Sequence, residues 1–472
     1  FRQMAAWCAD NLRDLAGWDA SNLSLTCNSN ETARLLDGTI RQIVSWRDCD
    51  LLGGISKTFE RLKEAEPDAA MASALLLNME AFGTGMSVES NKEFKTLVEK
   101  TEQLAKSPSI NNRERQHLKA ACLWARGYFP EAQNTWEDIL AEYPNDLIAV
   151  KFAHDSYFFS GDAQGKRDSV ARVLPKWRKD EPCRSYLYGM LAFGLEECGQ
   201  YEEAERNALT ALSLRREDCW ATHARAHVME MQGRTKESRE FLEGTVQDWE
   251  PGWMLACHNH WHNALNYIEE GKYEEPLEMF DSEIGRRARR SQGCLDIVDA
   301  ASILWRLELE GVDVGKRWTD LPDLSTHLHD HFLSFNDAHY VFALQRGGKD
   351  ADAHELVRSL QGFVRSGPPH NNNHRVATEV GRALCEGMLA YCEGNYAKTV
   401  SSIMPVRAGI HRIAGSHAQN DVFTQTLIHA CLKTGETEHK EFARTVLLER
   451  AQKKAHSGIA ERLAKQLSEN HL

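Results

Sequence analysis

Five histidines fall within two short stretches of this chain, CWATHARAHVMEMQG from Cys219 and CHNHWHNALNYIEEG from Cys257. His223 and His227 stand four apart and Glu230 follows three later, so on a helix of 3.6 residues per turn all three project from one face. His258 and His262 repeat the four-residue spacing, whereas His260 points to the other side of the same helix. Imidazoles at i and i+4 are how H-E-x-x-H helices hold zinc, and imidazole with carboxylate is the ligand set of dimetal helical bundles. The order His-x-x-x-His-x-x-Glu is neither sequence, yet it offers three donors from one helix and leaves the open position that a catalytic metal requires. The expected centre comprises His223, His227, Glu230, His258 and His262 around one or two divalent ions. Zinc, iron and manganese all suit imidazole plus carboxylate. Glu230 is the candidate ligand or general base, taking a proton from a water whose pKa the metal lowers to near ~7. The competing reading of any single histidine is a core imidazole bonded to a neighbouring helix, because buried polar groups are normally paired.

Helices must present that face, and the chain reads as all-α. No β-branched alternation is long enough to propose a sheet, and from Leu51 onward paired helical stretches recur with a glycine between them. Gly127, Gly161, Gly199, Gly233 and Gly271 are separated by 34, 38, 34 and 38 residues. That period is the tetratricopeptide repeat, a 34-residue helix–turn–helix, with four-residue extensions in some loops. Ala132, Trp136 and Pro144 after Gly127, and Ala204, Ala208 and Ala211 after Gly199, fill its small, large and terminating slots. Weaker copies continue around Glu310, Gly347, Gly394 and Gly435. The expected organisation is an N-terminal helical cap over 1–50, a right-handed superhelix over 51–450 with its clearest repeats at 113–290, and a charged capping helix over 451–472. The AFGTG stretch at 81–85 is expected to be a turn and the arginines at 286, 287, 289 and 290 a solvated loop. No G-x-G-x-x-G, Walker or G-x-S-x-G sequence occurs.

In such repeats the first helix of each unit lines the concave groove, chiefly through its second, fifth, ninth and twelfth residues. With each glycine counted as fifteenth, His223, His227 and Glu230 face the groove, together with Lys151, Asp155, Tyr186, Phe193, Glu196 and Trp261. Asp337, His339, Gln425 and His429 are further polar residues on otherwise apolar helices, and join the groove if the superhelix curls tightly.

The irregular words LGGI (52–55), KFAHDSYFF (151–159), RDSVAR (167–172), MLACHN with WH (254–262), FNDAH (335–339) and LLER (447–450) are more specific than the glycines. On these the chain resembles the tetratricopeptide repeat protein 38 family, from near the N-terminus to the C-terminal helices. The resemblance implies the repeat fold and carries no reaction.

A net charge of −13 argues against a nucleic-acid surface. Twelve cysteines scattered singly without a CxxC pair suit reduced thiols in the cytoplasm, and Cys219 and Cys257 read as small apolar fillers. The opening FRQMAAWCADNLRD has no apolar core of a signal peptide, and no window approaches ~18 consecutive apolar residues, so no membrane is expected. Two functions follow from the sequence. One is a groove that binds a peptide, a protein partner or a small ligand, as solenoids do. The other is a metal-dependent enzyme, hydrolytic or oxidative, with its site inside the superhelix. A clamp for C-terminal carboxylates is set aside, because the fifth and ninth groove positions hold Lys151 with Asp155, Gly189 with Phe193, and His223 with His227.

Overall fold

A computed structural model describes residues 6–469. Over that range the chain is all-α, as expected. The one β feature among the described residues is an isolated antiparallel bridge between Arg47 and Gly252.

The helices begin and end where local chemistry dictates. Asn111, Asp146 and Asp162 each accept the backbone N–H three residues on, capping Asn112–Ala125, Leu147–Ser160 and Ala163–Val173. At the other ends, Gly127, Gly161, Gly199, Gly233 and Gly271 all have φ between 70° and 82°. This left-handed conformation reverses the chain at little cost only for glycine, so the 34/38 spacing marks the turns of successive helix pairs. Gly311, Gly348, Gly394 and Gly435 continue the series at φ of 74° to 84°. The turn near 347 thus uses the second of its two glycines.

Two compact units emerge, where the repeat pattern predicts a cap, one array and a cap. Unit 1 takes residues 1–224, 247–256 and 370–372, and unit 2 takes 225–246, 257–369 and 373–472. The boundary therefore falls inside the Cys219–Met231 helix and near the start of the Met254–Glu269 helix.

Unit 1 packs the pairs Asn112–Ala125 with Phe129–Glu142, Leu147–Ser160 with Ala163–Val173, and Arg184–Glu197 with Tyr201–Leu214. Its aromatic centre joins Trp124 to Phe82 and Phe129, at centroid distances of 4.4 and 3.7 Å, with Trp136 and Phe152 alongside. Ala132, Ala204, Ala208 and Ala211 are fully buried, which is why those slots demand a methyl. Before this array, Leu15–Ala20 and Asn30–Ser45 flank a polar connection over 21–29. The 81–85 stretch is not a separate turn: the Ala70–Thr84 helix runs through it and ends on Gly85 at φ 64°.

Unit 2 closes on itself. From the Met254–Glu269 helix the chain passes through Cys294–Leu309, Ser334–Arg346, Arg382–Cys392 and Tyr396–Ile403 to His417–Thr434, which packs back on Cys294–Leu309. Trp305 Nε1 donates to Thr426 Oγ1 at 2.9 Å, and Arg306 donates to the Ala418 carbonyl at 2.8 Å. Thr437–Lys453 and Gly458–Glu469 follow, and the turn between them seats on the C-terminal end of the Met254–Glu269 helix. The arginines at 286–290 lie on a helix, Gly285–Ser291, rather than on a loop. There Glu283, a turn earlier, accepts from Arg286 and Arg287 at 2.7 and 3.0 Å.

Candidate metal centre

His227 and Glu230 sit on the Cys219–Met231 helix, His258 and His262 on the Met254–Glu269 helix, and Asp299 on Cys294–Leu309. His227, His258 and His262 each bring one ring nitrogen to within 4.8 Å of the others. Their ring centroids are 4.3 Å apart for His227 and His262, 4.7 Å for His258 and His262, and 6.5 Å for His227 and His258. The two helices therefore bring together the imidazoles that sequence spacing placed on facing sides. His223 lies in unit 1, where its ring packs on Phe193 and Trp220. His260 faces away, as expected, with Nε2 3.7 Å from Glu283; burial pushes its pKa down to about 4 even so.

Two carboxylates orient the rings. Asp299 Oδ2 lies 2.7 Å from Nδ1 of His258, and Glu230 Oε2 lies 2.9 Å from Nδ1 of His262. Each ring donates its Nδ1–H to a carboxylate, which makes Nε2 the nitrogen a cation would take, the arrangement that carboxylate–histidine–metal sites use to fix the tautomer. Glu230 thus falls outside the ligand group expected from sequence and stands behind His262 instead. Burial raises the Glu230 pKa against the pull of Lys454, and burial, with the charges of Arg306 and Lys454, holds His262 well below its ordinary value. The imidazole is therefore neutral at pH 7, as metal binding requires. Trp261 fixes the remaining freedom: it stacks on His258 at 4.9 Å and 10°, and its Nε1 donates to Ser302 Oγ at 3.2 Å.

A charged chain runs on from Glu230. Lys454 Nζ is 3.8 Å from Glu230 Oε1 and 2.7 Å from Glu269 Oε1. Glu269 also accepts from Ser457 Oγ and the Ile459 N–H at 3.1 Å, and Arg450 joins it to Asp421. Burial alone would raise the Glu269 pKa, but Lys454 and Arg450 hold it at about 2. Asp299, Glu269, Lys454, Arg450 and Arg306 were not among the sequence candidates. Two acids, Asp296 and Asp299, in the apolar run LDIVDAASILW were the signal available for Asp299.

The groove expected from sequence is not an exposed surface. Lys151, Tyr186, Phe193, Glu196, Trp261, Asp337, His339 and Gln425 are each no more than 3 % exposed, and Asp155 and His429 no more than 9 %. Lys151 pairs with Asp155 while its ammonium lies 4.5 Å over the Trp46 ring, and His339 Nδ1 donates to the Phe335 carbonyl at 2.8 Å. Gln425 donates to Asp421 at 2.7 Å and Asp337 accepts from His331 at 3.2 Å. The residues that the repeat count selects are packed inside the protein instead of lining an open groove. Cys219 and Cys257 are fully buried fillers, the Cys219 thiol pushed up to about 12 by burial. Among the described residues no helix is long and apolar enough to cross a membrane.

No family model matches the chain. Among solved structures, it is similar to a Rap protein complexed with competence and sporulation factor, at 15% identity and TM-score 0.44 over 79% of this chain and 100% of that one. It is also similar to the APC/C hetero-tetramer Cut9–Hcn1, at 12% identity and TM-score 0.44 over 93% and 72%. A human IFIT1 dimer with PPP-AAAA matches at 16% identity and TM-score 0.38 over 98% and 99%.

Proposed function

We propose that this protein is a metal-binding helical-repeat protein whose second unit holds a divalent transition-metal ion on His227, His258 and His262. The observation that carries the proposal is the convergence of three buried imidazole nitrogens within 4.8 Å, two of the rings being oriented by carboxylates on Nδ1. Tetrahedral coordination with bonds of ~2.0–2.1 Å sets donors ~3.4 Å apart, which small rotations of side chains already in register would reach. Glu230 and Asp299 bring two carboxylates against the charge of such an ion. Three imidazoles leave one coordination position, and a metal so held supplies Lewis acidity and a water of lowered pKa, the basis of a hydrolytic centre. Zinc fits the imidazole set best, with iron and manganese as alternatives.

The scaffold is best placed beside the tetratricopeptide repeat protein 38 family, since two of the words that carry the resemblance hold His258, His262 and Arg450. Free cysteines throughout fit a reducing compartment such as the cytoplasm. Peptide binding along the expected groove residues finds less support, because those side chains are buried.

Protein purified without chelator should carry near-stoichiometric zinc, iron or manganese by elemental analysis. His227→Ala should lose the metal while keeping its helical circular dichroism, and Asp299→Asn should weaken affinity by about 10–100-fold. Bound metal should raise the melting temperature, corresponding to ~2.7 kcal/mol at a hundredfold excess over Kd, and chelator should reverse the shift in wild type alone. Metal-free protein that shows no thermal response to any of these ions would overturn the reading.

A further inference from the structure

Unit 2 contains a second constellation, carried by other elements than those of the three histidines: an aspartate, a histidine and a serine in hydrogen-bonded series. Asp337 stands in the first turn of the Ser334–Arg346 helix, His331 in the connection just before it, and Ser359 on the following helix, Asp350–Ser366. Asp337 Oδ1 lies 3.2 Å from His331 Nδ1, and His331 Nε2 lies 2.8 Å from Ser359 Oγ. A carboxylate that accepts the Nδ1–H leaves Nε2 with its lone pair, so the Ser359 hydroxyl donates to it. A hydroxyl held in this way has a base ready for its proton, and the base an acid to orient it. The Ser359 oxygen in turn accepts from Nδ1 of His329, also at 2.8 Å.

The surroundings hold this series in place and leave its serine end open. Asp337 and His331 are buried, whereas Ser359 is half-buried and His329 exposed. His331 has φ 43°, a left-handed backbone that a non-glycine residue adopts at a cost of about 1–3 kcal/mol. Asn373 pins it there: its Nδ2 donates to the His331 carbonyl while its Oδ1 accepts from the Ser334 N–H at 2.9 Å. One side chain therefore fixes both the histidine and the start of the helix that carries the aspartate. The Phe363 ring packs 5.5 Å from the His331 ring, and Asp337 Oδ2 meets no hydrogen-bond partner among the described residues. A strained histidine and an under-satisfied buried acid both detract from stability, and such departures concentrate where a site is built. Gly362 stands one turn beyond Ser359 in mid-helix, where glycine costs about 1 kcal/mol relative to alanine, and a Cβ there would meet nothing within 4 Å. The helix face beside the hydroxyl is therefore open to a substrate.

We infer that Ser359 is a nucleophile for acyl transfer, with His331 as its general base, Asp337 as the residue that positions the imidazole, and unhindered carboxylic esters as the substrate class. In the first step Ser359 Oγ bonds to the ester carbonyl carbon and its proton passes to His331 Nε2. The bond from that carbon to the alkoxy oxygen breaks, and the alcohol leaves with the proton from Nε2. In the second step water adds to the acyl-serine and gives a proton to His331, and the acid leaves as Ser359 Oγ takes that proton back. Negative charge on the carbonyl oxygen develops beside His329, whose Nδ1–H is already aimed at Oγ. None of these residues belongs to the metal centre.

The test uses the full chain with a fluorophosphonate probe, whose P–F bond breaks as Ser359 Oγ bonds to phosphorus and fluoride leaves, and with p-nitrophenyl acetate. Peptide mass spectrometry should find the phosphonyl adduct on Ser359. Ser359→Ala, at a half-buried helix position, should lose both the adduct and the nitrophenol burst that acyl-serine formation gives. His331→Gln should slow labelling at pH 7 by at least about 100-fold, the lower range for a general base, with circular dichroism reporting that the helices persist. The wild-type rate supplies a measurement that does not depend on that variant folding. With a histidine base it rises with pH and then levels, whereas an unassisted hydroxyl reacts in proportion to hydroxide without a plateau. Asp337→Asn, which favours the wrong tautomer of His331, should convert the profile to the hydroxide-dependent form, a change that a purely structural acid would not produce. No adduct on Ser359, labelling unchanged in His331→Gln, or a wild-type rate that follows hydroxide without levelling would overturn the inference. Labelling should persist with chelator and in His227→Ala, so failure here and failure of the metal reading are separate results.

Discussion

A buried histidine is costly to protonate, and this protein buries several. His339 sits among Phe335, Phe342 and Phe423 at centroid distances of 4.5–5.3 Å, and burial pushes its pKa down to about 3. An unfolded histidine titrates near ~6.5. The folded value lies below the unfolded one, so the stability this neutral ring contributes is fully present above pH ~6.5 and is lost progressively as pH falls toward 3. His339→Leu should therefore flatten the acid limb of the stability curve by up to one proton, ~1.4 kcal/mol per pH unit. Denaturant unfolding at several pH values between 4 and 7 measures this, and an unchanged slope would show that the ring does not titrate as argued. At this scale the sequence was half legible. The i, i+4 spacing showed which imidazoles share a face, but it does not say which ring nitrogen a carboxylate will take. Glu230 was therefore expected at the metal, whereas it sits on His262 Nδ1. Asp299 lies 41 residues from His258, and no local pattern ties the two together.

Turns are where the element scale was legible, because a left-handed residue between helices leaves a glycine in the sequence at a fixed period. The same conformation is used for two purposes, and the period does not distinguish them. At Gly199 a Cβ would meet nothing within 4 Å, so the glycine serves the backbone alone. At Gly233 a Cβ would lie 1.7 Å from the Ala455 carbonyl oxygen, so the glycine also admits another segment of unit 2. Gly199→Ala should accordingly cost about 1–2 kcal/mol, the strain of an L-residue in that region. Gly233→Ala carries the same strain and must also displace the chain at Ala455, so it should cost clearly more and loosen the C-terminal helices. Parallel urea unfolding of the two variants decides the point. Equal costs would mean that the approach of Ala455 to Gly233 does not constrain the fold.

The closure of unit 2 left no trace in the local sequence pattern. A repeat announces contacts between neighbours about 34 residues apart, and periodicity reads them. The contacts that close unit 2 join Glu269 to Arg450, Lys454, Ser457 and Ile459, some 181 to 190 residues away, through charges that look like an ordinary polar end-cap. Their energetic logic is not that of a cap. Glu269 is buried and ionised only because Lys454 and Arg450 face it, and removing one side of such a pair strands the other, at ~3–5 kcal/mol. Gly458 approaches so closely that a Cβ there would lie 2.1 Å from the Glu269 carbonyl oxygen. Deleting residues 454–472 removes Lys454, Ser457 and the Ile459 N–H while leaving the Thr437–Lys453 helix whole. Amide protection should then fall at the C-terminal end of the Met254–Glu269 helix and at the Gly233 turn. In unit 1, the Asn112–Ala125 and Phe129–Glu142 pair, which keeps its own aromatic centre, should exchange as before. Hydrogen exchange read by mass spectrometry tests both halves of the expectation. Uniform protection after the deletion would show a passive end-cap. Loss confined to those two places would show that the C-terminal segment holds the far end of the histidine helix in position, which is the support a three-imidazole centre on that helix requires.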